Sequence, residues 1–177
     1  MARSTPDWLH LTADEAVVWE SRPHPITMGA GVPIAVLVAV VGTALIIMDL
    51  TSTDGAGLTA LLGALLGLGG AGVALVRYAV WTNTRYVITS EELYKKRGIV
   101  SRDVTQFRID RIQNTTLEQD MLGRLLGYGD LTIYTAGSGD PELTFERTPR
   151  PERANGALND QLGELVETKR TQRRQPT

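Results

Sequence analysis

The chain has 177 residues, 42% of them apolar and 21% charged, with 18 Lys plus Arg against 20 Asp plus Glu and no cysteine. That length suits one modest domain with an appended element, not a large enzyme. A formal charge of −2 gives no bulk attraction to nucleic acid, and the lack of cysteine removes disulfides, thiolate zinc sites and thiol nucleophiles.

Residues 1–25 read as a solvated cytoplasmic lead-in. It holds both histidines, His10 and His24, and their spacing with Asp14 and Glu15 matches no zinc pattern, so no metal site is expected.

From Ile26 to Met48 run 23 residues without a charge. As a helix they would extend about 35 Å, enough to cross a hydrocarbon core of about 30 Å. Residues 55–81 form a second span, beginning with 22 uncharged residues from Gly55 to Val76. The six-residue link, 49–54, is too short for anything but an antiparallel hairpin. The link carries Asp49 and Asp54 and no cation, whereas Arg22 precedes the first span and Arg77, Arg85, Lys95, Lys96 and Arg97 follow the second. Cations are retained inside, so both termini are expected in the cytoplasm and the protein in the inner membrane. Tyr78 and Trp81 suit the headgroup layer at the end of span two. The sequon Asn114-Thr115-Thr116 would then stay unmodified.

Gly31, Ala35 and Ala39 in the first span and Gly63, Gly67 and Ala71 in the second recur every four residues. Such stripes allow close helix packing, within the hairpin or between chains. Gly67 to Gly72 formally matches a dinucleotide fingerprint, but no strand precedes it and it lies inside an apolar run, so a glycine-rich helix is the better reading.

After Trp81 the period changes. Tyr86 and Ile88, Phe107 and Ile109, Leu131 and Ile133, and Leu143 and Phe145 are i, i+2 apolar pairs, the signature of half-buried strands. Turns fall at Gly98, Gly127 to Gly129 and Gly137 to Pro141. Met121, Leu122, Leu125 and Leu126 interrupt as one short helical turn. From Pro151 to Lys169, Ala154, Leu158, Leu162, Leu165 and Val166 form one apolar helical face. Residues 169–177 end the chain as an expected disordered basic tail.

Arg85-Tyr86-Val87-Ile88-Thr89, Gly98-Ile99-Val100, Arg111-Ile112-Gln113-Asn114 and the run from Leu125 to Ile133, preceded by the lead-in from Asp14 to Pro25 and two spans, resemble the YdbS-like, membrane-flanked family of prokaryotic pleckstrin-homology domains. The resemblance covers roughly residues 11–167 and rests on structural motifs. It implies an α+β membrane protein: a two-helix transmembrane hairpin followed by a pleckstrin-homology-like barrel or sandwich over residues 84–168 with a C-terminal capping helix.

No catalytic constellation is apparent, so no enzyme activity, catalytic residue or cofactor is expected. The expected role is an interaction module at the cytoplasmic face. Its partners would be the lipid bilayer and other membrane proteins, either of the same family or a second copy of the chain, with nucleic acid excluded. The alternative is direct contact with anionic lipid headgroups through Lys95, Lys96, Arg97 and Arg102, which flank the Gly98 turn.

Overall fold

The computed structural model describes residues 8–9, 11–12, 15–52, 57–99, 103–135 and 143–174, all but Gln172 with their side chains. The chain divides into two compact units: Pro25–Thr84 with Gly98–Ser101, and Met1–His24 with Arg85–Arg97 and Arg102–Thr177.

The first unit is a helical hairpin. A 3₁₀ turn over Pro25–Met28 and a left-handed Gly29 lead into α1, Gly31–Thr51, which α2, Leu58–Thr82, follows. Pro33 sits in the first turn of α1, where its missing N–H has no intrahelical partner to lose. At 21 and 25 residues the helices are about 32 and 38 Å long, and both are long and apolar enough to cross a membrane. They start and stop a few residues later than the expected spans, because Gly29 breaks the first run and Asp49 accepts a hydrogen bond from the Gly57 N–H (2.8 Å) across the link.

Small residues set how closely these helices approach. A Cβ on Gly42 would stand 2.4 Å from the Gly67 nitrogen and 2.5 Å from the Gly63 oxygen, and one on Gly70 would stand 2.5 Å from the Ala35 oxygen and 2.7 Å from the Ala39 nitrogen. Ala35, Ala39, Gly63 and Gly67 from the expected stripes therefore lie at the crossing, joined by Gly42 and Gly70. Gly31 instead faces the Arg77 guanidinium, and Ala71 is exposed. At the end of α2, the rings of Tyr78 and Trp81 are 5.9 Å apart.

The second unit is a two-sheet sandwich. One antiparallel sheet has the order β1-β2-β3-β4, with β1 Val17–Ser21, β2 Arg85–Thr89, β3 Glu92–Arg97 and β4 Asp103–Arg108. The other, β5-β6-β7, comprises Ile112–Glu118, Tyr128–Thr135 and Leu143–Pro149. Between β5 and β6 lies α3, Met121–Leu126, and α4, Pro151–Arg174, closes the unit. Inward side chains Tyr86, Ile88, Leu93, Leu131, Ile133 and Phe145 meet Ala154 and Leu158 of α4 in one core. The expected apolar pairs thus mark strands, except that Ile109 is buried from a 3₁₀ turn after β4. The expected turn at Gly137 to Pro141 lies outside the described residues.

Two sequence expectations change. The lead-in is not simply solvated: Val17–Ser21 forms edge strand β1, paired with β2 in the register Trp19↔Ile88 and Ser21↔Tyr86. The hairpin is therefore inserted between the first two strands of the sheet instead of preceding the whole domain. Upstream, Trp8, Leu9 and Leu11 pack with Val87 and Tyr94, side chains on the sheet face opposite the main core. The basic tail is also shorter than expected. Helix α4 continues to Arg174, where Arg173 and Arg174 in its last turn favour the negative end of the helix dipole.

Candidate interaction surface

β3 carries three of the four cations singled out from sequence, and strand alternation divides them. Lys95 shares the core-facing side with Leu93. Its ammonium donates to the Thr144 carbonyl of β7 (2.7 Å), lies 3.4 Å from a Glu146 carboxylate oxygen and stands 5.9 Å from the centroid of the Tyr86 ring. With 17% of its side chain exposed, Lys95 serves as a tie between the two sheets. Lys96 points to the other side, its ammonium 5.1 Å from the centre of the Trp8 ring. Arg97 is exposed at the strand end, in register with Asp103. Arg102 lies outside the described residues. The three described cations therefore do not share one face: Lys95 is engaged, and Lys96 and Arg97 project to opposite sides.

Two buried tyrosines stiffen this region. Tyr86 donates to the Glu146 carbonyl (3.2 Å) and stacks on Phe145 with centroids 4.7 Å apart. Burial pushes its phenol well above the ordinary range, assisted by the Glu146 carboxylate. Tyr94 donates to a Glu92 carboxylate oxygen (2.7 Å), and burial followed by that bond raises its phenol likewise. Both remain protonated donors at neutral pH. Glu15, from the lead-in, is buried beside Tyr94 and accepts from the Thr89 hydroxyl (2.5 Å) and the Thr12 N–H (3.0 Å). Glu15 thus anchors the lead-in to the sheet, while the His24 ring lies 5.3 Å from that of Tyr128. Among the described residues no group of three or more His, Asp or Glu side chains is placed to hold a metal ion; His10 and Asp14 lie outside the described residues.

A feature that sequence periodicity did not rank is α3. Asp120 caps it by accepting from the Gly123 N–H (2.5 Å), and left-handed Gly127 ends it. Gly123 faces inward, where a Cβ would meet the Tyr128 carbonyl at 2.5 Å. A glycine on the inner side lets the helix lie against backbone, and its large apolar side chains turn outward. The sequence places Met121, Leu122, Leu125 and Leu126 on one side of the helix with Gly123 off it, but the period does not say which side faces the core.

The architecture can bind through surfaces. A family model described as bacterial PH domain matches residues 32–164. The chain belongs to the bacterial PH domain family. That match begins inside α1 and so leaves β1 outside it, although β1 completes the sheet. No curated protein and no solved structure matches the chain. Bacterial PH domains are in general non-catalytic modules.

Proposed function

We propose that this bacterial PH domain protein is a membrane-anchored interaction module that assembles with other membrane proteins at the cytoplasmic face. The observation that carries this reading is the pairing of β1 with β2 around the inserted helices. Strands bonded in one sheet occupy one side of a bilayer, so the chain between them crosses an even number of times, as a two-span hairpin does. The outward faces of the helices support the same reading. Leu37, Met48, Leu68 and Leu75 are all more than 60% exposed, which is costly in water and favourable in lipid. The cation distribution around the spans favours termini in the cytoplasm.

The test uses the cysteine-free chain with single substitutions Ser52→Cys, in the link, or Glu167→Cys, on exposed α4. An impermeant maleimide should label position 52 in intact cells and position 167 only after lysis. Labelling of position 167 in intact cells, or release of the protein by alkaline carbonate, overturns the reading. Photo-crosslinkers on exposed sandwich positions should then trap a defined membrane protein or a second copy of the chain; lipid adducts alone would favour direct headgroup binding.

A further inference from the structure

The second unit exposes an apolar cluster whose position in the chain argues for what covers it. Met121 and Leu125 on α3 are 90% and 82% exposed, and Leu122 and Leu126 are 56% and 45% exposed. Four large apolar side chains on one two-turn helix are more than the scattered surface residues that a water-facing domain ordinarily carries. The helix is held by the Asp120 cap and the Gly127 terminus, so its apolar tips are presented on a fixed support.

The chain leaves this unit next to α3. His24 is the last residue of the unit before the apolar helices. Its N–H donates to the Arg147 carbonyl (2.7 Å) and its ring lies against Tyr128, two residues beyond the end of α3. The chain therefore leaves the sandwich, at His24, beside the segment that ends α3. Cations accompany it. Arg124 is exposed on the helix itself, and Arg150 is exposed on the segment whose N–H donates to the Gly127 carbonyl (2.9 Å). Arg147 and Arg150 both hold left-handed backbone conformations, with φ of 46° and 48°, unusual for residues other than glycine. Exposed apolar side chains with arginines on the same helix and on the segment bonded to its end match the chemistry of a bilayer interface, where acyl chains meet phosphates.

We infer that α3 is an interfacial anchor, with Met121 and Leu125 inserted into the membrane that the hairpin spans and Arg124 and Arg150 at phosphate level. This rests on the membrane-anchored reading above. It places the sandwich against lipid through an element separate from the β3 cations, and the two spans hold it there at high effective concentration.

The full-length, cysteine-free chain provides the test. Met121→Cys, Leu125→Cys, Leu65→Cys and Glu167→Cys are each labelled with an environment-sensitive fluorophore and reconstituted into phosphatidylcholine/phosphatidylglycerol vesicles. Leu65 is an outward residue of α2. Glu167 is exposed on α4, about 24 Å along that helix from its start beside α3. Nitroxide-labelled lipids should quench positions 65, 121 and 125 about threefold or more above position 167, which iodide alone should quench strongly. If position 65 is quenched by lipid but 121 and 125 respond to iodide as 167 does, the inference falls and the anchored reading stands. Screening of 121 and 125 from both quenchers assigns the cluster to a protein partner and likewise overturns the inference. If position 65 escapes the lipid quencher, both readings fall together.

Discussion

Ser21 and Tyr86 are register partners on adjacent antiparallel strands, although both long apolar helices lie between them in the chain. The sandwich is consequently assembled from two chain segments, and its edge strand arrives from before the hairpin. Trp19 contributes to the core from that edge, its ring stacked 6.4 Å from that of Phe145. Glu20 on the same strand pairs with Arg85 at 2.5 Å.

A fragment beginning at residue 85 should therefore be defective, lacking β1 and leaving β2 as an unprotected edge. Joining residues 8–24 to 85–174 through a short Gly-Ser linker should restore a cooperatively folding unit, since Ser21 and Arg85 are near neighbours in the sheet. Urea unfolding followed by circular dichroism distinguishes them: a sigmoidal transition for the joined chain, and a broad one or aggregation for the fragment.

Within that joined chain, Trp19→Ala should cost about 2 kcal/mol. A buried Trp loses about 3–5 kcal/mol on truncation, and Trp19 is only partly buried. The shift in urea midpoint at constant slope measures it. An unchanged midpoint would mean that β1 contributes little to the core.

Lys95 and Arg97 should separate structure from surface charge. Lys95→Met removes the bond to the Thr144 carbonyl and should cost about 1 kcal/mol, whereas Arg97→Gln should change stability by less than about 0.5 kcal/mol. Lys96→Glu with Arg97→Glu should leave folding intact and weaken flotation of the joined chain with anionic vesicles in a salt-sensitive manner. Flotation unchanged by that double reversal would remove the β3 cations from lipid contact.

In the hairpin, Gly42→Leu or Gly70→Leu should force the helices apart, because each new Cβ would fall within 2.6 Å of facing backbone. The expected loss is about 1–3 kcal/mol, seen as a lower melting temperature in mild detergent. Gly69→Ala and Gly72→Ala meet nothing within 4 Å and should be tolerated.

Alkaline pH should destabilise the sandwich through its tyrosines. The Tyr86 phenol is held above its ordinary value of 10.0 by burial, so the unfolded chain ionises first. Stability is then flat below about pH 10 and falls above it, by about 1.4 kcal/mol per pH unit for each such tyrosine until the folded state also ionises. The part of the tyrosinate absorbance that Tyr86→Phe and Tyr94→Phe remove should rise together with the loss of near-ultraviolet ellipticity instead of preceding it.

Much of this molecule is written locally. The uncharged runs beginning at Ile26 and Gly55 determine two long helices, because length and apolarity are properties of contiguous chain, and their short link determines an antiparallel pair. Alternation at Tyr86 and Ile88 or Leu131 and Ile133 determines strands for the same reason. The partners of those elements are not local. That Val17–Ser21 joins β2 across the hairpin, that Lys95 reaches a carbonyl of the opposite sheet, and that Gly42 and Gly70 complete the helix crossing were decided by tertiary packing, which brings together residues whose spacing in sequence carries no period. The outward turn of Met121 and Leu125 was decided in the same way: their composition fits a core helix, and only the close approach of Gly123 to the Tyr128 backbone leaves them facing out.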